Sequence, residues 1–238
     1  MSGWQQKKFW TETRVETTDG GFEVLLDGRK LRTPGKTPLV VPSKDLAQAI
    51  AAEWDAQEEK IDPATMPFTR SANSAIDKVA TQFNEVAALL TAYGDTDLLC
   101  YRAENPQELT QRQSEGWDPL LEWISDAFGV RLKTGQGVMY FEQNDEALSV
   151  LRAKVYEFTP FELTAFHDLV GLSGSLVLGL AATNNAISPE QLWDLSRIDE
   201  TWQEEQWGKD EEASALVATK RAAFLHAFHF FNMVKKEA

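Results

Sequence analysis

The chain has 238 residues, 43% of them hydrophobic, and its 23 Lys and Arg against 37 Asp and Glu give a formal net charge of −14. That much apolar material builds a core for one large or two modest domains and excludes a disordered or fibrous chain. The first sixty residues hold nine basic and ten acidic side chains, leaving fourteen against twenty-seven in the remainder, a balance that argues against nucleic acid as a partner.

Met1 to Lys8 has neither an apolar h-region nor an Arg/Ser-rich amphipathic extension, so neither a secretory signal nor an organelle transit peptide is expected. Thr11, Thr13, Val15 and Thr17 alternate with Glu12, Arg14 and Glu16, which predicts a strand; Asp19-Gly20-Gly21 turns the chain into a second, Phe22 to Leu26. Asp27-Gly28 suits a type I′ turn, with Arg29 to Thr33 returning before Pro34-Gly35 and a last short strand, Leu39 to Val41. The expected result is a small antiparallel meander. From Ser43, a predicted N-cap, the period becomes helical: Leu46, Ala49, Ile50, Glu53, Trp54 and Gln57 share one side, which carries Glu53 into or beside an apolar stripe. Asp62-Pro63 ends this region. The fold class is therefore α+β, with a β-rich N-terminal domain over residues 1–62 and an α-helical domain over 63–238.

Helices are predicted from Thr69 to Leu90 with an interruption, from Asn105-Pro106 (N-cap and N1) to Phe128, from Asp145 to Phe158, and from about Asp210 to Val234. Val130 to Phe141 reads as a loop or short hairpin. Thr159-Pro160-Phe161-Glu162 and Ser188-Pro189-Glu190-Gln191 carry capping-box starts with proline at N1. The apolar run Leu169 to Ala182 is too short to cross a bilayer, so no membrane insertion is expected. Gly171, Ser175 and Gly179 within it predict a bare face that another backbone approaches.

The chemistry-bearing residues are sparse. Asp95-Thr96-Asp97 offers two carboxylates, fewer than a six-oxygen cation site needs, and Asp95 before an apolar run reads as a helix cap. Cys100 is the single cysteine, which excludes internal disulfides and Cys-rich zinc sites and fits a reducing compartment. His226 and His229 lack the glutamate of a His-Glu-x-x-His site, and His167 is expected to be a satisfied buried histidine. No phosphate loop or nucleophile elbow is present, so no metal and no cofactor is predicted. Glu53, Asp55, Asp118, Glu122, Asp199 and Glu200 leave a carboxylate- or metal-dependent hydrolase as the alternative function.

Ser196 to Glu212 sets two tryptophans among carboxylates. As one helix, it places Ser196, Glu200, Gln203 and Trp207 on one face and Leu195, Ile198 and Trp202 on a neighbouring apolar stripe. One reading is a protein-binding surface, since rigid aromatics beside polar groups anchor interfaces. The other is a solvated acidic helix with its tryptophans packed inward.

Several motifs occur in one order along nearly the whole chain: Asp27-Gly28-Arg29 with Leu31 and Thr33-Pro34; Ala52-Glu53-Trp54-Asp55-Ala56-Gln57; Met66-Pro67; Asp95 through Arg102; Gln113 with Trp117-Asp118-Pro119-Leu120 and Trp123; and Leu195-Ser196-Arg197 with Glu200, Gln203 and Trp207-Gly208. In this set the chain resembles the assembly chaperones that act on the alpha subunit of the F-type ATP synthase catalytic head. The resemblance implies a two-part, non-enzymatic, monomeric chaperone that covers the surface of the unassembled alpha subunit until a beta subunit replaces it. Carried over position by position, the partner-binding residues are Glu53, Trp54, Asp199, Glu200, Gln203 and Trp207. Mitochondrial relatives start with a targeting extension for the matrix; without one here, a bacterial cytoplasmic member or a processed form is expected. The acidic stretch after Gly208 departs from what the family pattern requires.

Overall fold

The computed structural model describes residues 7–234, and these fall into two compact units. The first comprises residues up to Phe83 with Thr159–Thr164 and the chain from His229 onward; the second comprises Asn84–Phe158 and Ala165–Phe228. Asp62, where the sequence places a domain boundary, lies within the first unit, and the chain enters that unit three times.

The first unit is organised by a sheet. Strands β1 (Thr13–Thr18) and β2 (Gly21–Leu26) pair antiparallel from Thr13↔Leu26 to Thr18↔Gly21 across a two-residue turn. Asp27 and Gly28 both have positive φ, 47° and 77°, the geometry a type I′ turn demands, and lead into β3 (Arg29–Lys30). The Asp27 carboxylate also accepts from the Thr11 and Glu12 backbone N–H groups at 3.1 and 2.9 Å, which holds its pKa below the ordinary carboxylate value. A simple meander does not form: β4 (Val40–Val41) returns to β2, pairing Phe22↔Val41 and Glu23↔Val40, so β2 is the shared strand. Gly21 makes that return possible, because a Cβ there would sit 2.3 Å from the Val41 carbonyl oxygen.

Helix α1 (Lys44–Asp55) packs on β1 and β2, with Leu46, Ala47 and Ile50 fully buried and the Ser43 hydroxyl accepting from the Leu46 N–H at 3.2 Å. Helix α2 (Pro67–Ser74) continues into a π-helical stretch, Ala75–Val79, before α3 (Phe83–Thr91). Asp77 on the π turn pins the Pro34-Gly35 bend, accepting from the Thr33 hydroxyl at 2.7 Å and the Gly35 N–H at 2.8 Å.

The second unit is helical. It contains α3 from Asn84 onward, α4 (Gln107–Phe128), α5 (Asp145–Tyr156), most of α6 (Pro160–Ser173), α7 (Leu176–Thr183), α8 (Pro189–Leu195), α9 (Ile198–Trp207) and most of α10 (Glu211–Val234). Helix α4 starts one residue later than predicted, with Pro106 as the N-cap. Both capping boxes form: Glu162 accepts from the Thr159 N–H at 2.7 Å, and Gln191 pairs with Ser188.

Every residue of α7 is buried, but Gly171, Ser175 and Gly179 do not line one continuous helix. Gly174, at φ 72°, ends α6, and Ser175 caps α7. A Cβ at Gly179 would meet Val170 at 2.6 Å, whereas one at Gly171 would meet nothing. The close approach therefore belongs to Gly179, and a side chain supplies it. The start of α7 is fixed by Asp97, which is fully buried and accepts from the Ser175 hydroxyl at 2.7 Å, the Val177 N–H at 3.0 Å and the Leu99 N–H at 3.0 Å. Burial pushes its carboxyl up to about 6 against the pull of these donors. The capping carboxylate of the Asp-x-Asp is thus Asp97; Asp95 instead accepts from the Tyr140 hydroxyl at 2.9 Å. His167 is exposed and pairs with Asp168 at 3.0 Å, contrary to the buried histidine expected from sequence.

Candidate functional site

In the first unit, Glu53 projects from α1 to the start of α2. Helix α2 begins with proline and lacks a side-chain cap of its own. Glu53 supplies one: its carboxylate accepts from the Phe68 N–H at 2.6 Å, the Thr69 N–H at 2.8 Å and the Thr69 hydroxyl at 2.7 Å. These are the orphan donors of a first helical turn, and a negative charge there also opposes the helix dipole favourably. Desolvation nevertheless raises the Glu53 pKa. One turn on, the buried Gln57 side chain accepts from the Asp62 N–H at 2.7 Å and donates to the Thr65 hydroxyl at 3.1 Å, tying down the bend before α2. Trp54 is half-buried against Trp10, their ring centroids 5.2 Å apart.

The other four candidates lie on α9 in the second unit. The Ser196–Glu212 stretch is not one helix: Ser196 and Arg197 separate α8 from α9, and residues 208–210 separate α9 from α10. Ser196 is buried and donates to the Trp193 carbonyl at 2.7 Å, so it does not share the outward face expected from the helical period. The inward stripe forms: Ile198 is buried, Leu195 and Trp202 half-buried. A Cβ at Gly116 on α4 would sit 2.8 Å from both Ile198 and Leu195, so glycine lets α4 lie close against this stripe. The indole of Trp117 donates to the Leu195 carbonyl at 2.8 Å, and Arg112 covers the Trp202 ring at 5.0 Å while bonding Glu205 at 2.9 Å.

Outside that stripe, Trp207 is 80% exposed at the end of α9. Gln203, one turn earlier on the same face, is also exposed, as is Glu200, which bonds Arg197 at 3.1 Å. Asp199 is half-buried and accepts from the Gln113 side chain at 2.6 Å; Gln113 in turn accepts from the Ala103 N–H at 2.8 Å.

Asp199 and Gln203 also line a cleft of about 590 Å³. Its opposite wall is built by β5 (Tyr101–Arg102), which pairs parallel with β6 (Gly135–Gln136), so the 130–141 segment docks beside β5 instead of forming its own hairpin. Gly137, at φ 79°, donates to the Arg102 carbonyl at 2.9 Å. Val138 and Met139 follow, 94% and 79% exposed. At the base lies Arg102, bonded to Asp118 at 2.7 Å and stacked over Trp117 at 5.1 Å. An apolar lip, a polar floor and an aromatic anchor one helical turn away form a surface suited to holding a polypeptide, with hydrophobic contact in the middle and hydrogen bonds around it.

Comparison with known proteins agrees with this form. Residues 7–125 match the family described as ATP12 chaperone protein. Atp12 from Paracoccus denitrificans is 50% identical, with a TM-score of 0.94 over 96% of this chain and 98% of that one. The chain belongs to the ATP12 chaperone family. The Atu1473 protein of Agrobacterium tumefaciens is 39% identical at a TM-score of 0.92, covering 96% of this chain and 86% of its own. Protein atp12, mitochondrial, of Schizosaccharomyces pombe is 27% identical over 221 residues, 87% of this chain and 75% of the relative.

In this ATP12 family member the six candidate residues are divided between the two units. Asp199, Glu200, Gln203 and Trp207 share α9, while Glu53 and Trp54 sit in the other unit. Four of the six carboxylates of the alternative hydrolase reading each hold a different partner: Glu53 accepts from Thr69, Asp118 from Arg102, Asp199 from Gln113 and Glu200 from Arg197. Among the described residues, no group of three or more His, Cys, Asp or Glu is placed to hold a metal, and no helix is long and apolar enough to cross a membrane. Sequence reasoning gave no role to Glu104, Val138 and Met139. The available signal was an apolar pair directly after Gly-Gln-Gly, where a loop ordinarily turns polar.

Proposed function

We propose that the chain holds the unassembled alpha subunit of the F-type ATP synthase catalytic head, in a bacterial cytoplasm, until a beta subunit takes its place. The observation that carries this reading is Trp207, a large aromatic left 80% exposed on α9 in a member of the ATP12 chaperone family. An indole in that setting contributes nothing to the core and is the residue type most enriched among interface anchors. Gln203 and Asp199 extend the surface into the cleft, and Glu200 stands at its acidic rim. An unassembled subunit exposes apolar surface that aggregates unless covered. The chaperone acts by occupying that surface, binding more weakly than the beta subunit so that assembly displaces it without chemistry. Glu53 and Trp54 serve this function indirectly, by fixing α1 to α2 and to Trp10.

Co-expression of the chain with the alpha subunit alone tests the reading. A soluble one-to-one complex on size exclusion, dissolved when beta subunit is added, is the expected outcome. Alpha subunit that elutes apart from the chain, or precipitates in its presence, would refute it.

A further inference from the structure

The cleft has an electrostatic asymmetry that says what it holds. Its one lining arginine, Arg102, is balanced by Asp118 at 2.7 Å. Nearby, Arg112 is taken by Glu205 and Arg197 by Glu200 and Glu204. Two lining carboxylates have no cationic partner among the described residues: Glu104 makes no hydrogen bond or ion pair, and Asp199 receives only the neutral amide of Gln113. Glu104 is exposed at the cleft wall, its Oε1 2.7 Å from where a Cβ on Gly137 would be, so glycine there leaves room for the carboxylate.

A second, independent observation comes from Arg102. Its side chain is only 6% exposed, yet Nε and Nη1 find no acceptor within the described protein. A buried donor without an acceptor is costly; both nitrogens are sealed from solvent, and a turn of the guanidinium toward the cleft would offer them to the carbonyl oxygens of an extended backbone. Beside these groups stand Val138 and Met139, apolar and almost wholly uncovered.

We propose that this cleft holds an extended segment of the client carrying a lysine or arginine, its cationic head drawn to Glu104 and Asp199 and an adjoining apolar side chain resting on Val138 and Met139. Charge complementarity selects the segment, since the chain bears a net charge of −14 and the cleft adds two uncompensated carboxylates. The inference rests on the client-holding reading above.

Photo-crosslinking separates the two. The substitutions Val138→p-benzoylphenylalanine and, separately, Trp207→p-benzoylphenylalanine lie at exposed positions and preserve folding, which circular dichroism checks. Each full-length variant is irradiated with purified alpha subunit and the crosslinked peptide identified by mass spectrometry. The position 138 probe should capture a segment with Lys or Arg within about three residues of the linked site, and adding Glu104→Lys should lower affinity at least tenfold. Crosslinks at 207 with none at 138, or capture at 138 of a segment without a basic residue, or full affinity after Glu104→Lys, would overturn the cleft assignment alone. Failure of both probes to crosslink would overturn the client-holding reading and this inference with it.

Discussion

Glu53 shows how a residue that looks suited to binding can be committed to folding. Its carboxylate accepts three donors at the start of α2, a helix whose N-terminal proline brings no cap of its own. Replacement by alanine strands those donors, and Glu53→Ala should lower the unfolding free energy by about 2 kcal/mol in urea titrations. Glu200→Ala, which removes an exposed pair with Arg197, should cost less than about 0.5 kcal/mol. Equal costs would mean that Glu53 does not act as a cap. Asp97 makes a prediction about pH. Its folded-state pKa, pushed up to about 6, exceeds the ordinary value of 3.8, so as pH rises the unfolded chain ionises first. Asp97 therefore contributes most stability at low pH and loses it as pH climbs towards 6. Asp97→Asn does not titrate, so the stability of the wild type relative to this variant should be greater at pH 5 than at pH 7. A gap that widens with pH would contradict the burial argument.

At the scale of elements, Gly21 is the test of the sheet. The return of β4 onto β2 brings the Val41 carbonyl to where a Cβ would be, and φ at Gly21 is 152°. Gly21→Ala should destabilise the first unit by about 3 kcal/mol or separate β4 from it; a melting temperature unchanged by the substitution would show that the strand has room. Legibility from sequence followed the range of the interaction. The strands, the Asp27-Gly28 turn and both capping boxes are decided by neighbours a few residues apart, and the sequence showed them. The return of β4, the parallel β5–β6 pair and the break at Ser196 depend on contacts between distant segments. The helical period places Leu195, Ile198 and Trp202 together, yet it carries no mark of where the helix ends, because the Ser196 hydroxyl serves a break as readily as a cap. The same limit governs the candidate site: the sequence left open whether Trp207 packs inward, and the cleft beside it is assembled from β5, the 137–139 loop and α9, so no single stretch of chain announces it.

For the whole molecule, membership of the ATP12 chaperone family sets the class of function, and we propose the α9 face of the second unit as the surface that performs it. The first unit is a capped sheet-and-helix body, while α9 leaves Trp207 exposed within an acidic surround of the kind that would keep a bound apolar partner soluble. The central claim is that this α9 face holds the client. The most direct measurement is calorimetric titration of the isolated alpha subunit with the wild type and with a Trp207→Ala, Gln203→Ala double variant whose melting curve matches it. Loss of an interface anchor removes about 2 kcal/mol or more of binding energy, so the account predicts one-to-one binding by the wild type and an affinity at least roughly thirtyfold lower for the variant. Unchanged affinity in a folded double variant would contradict it.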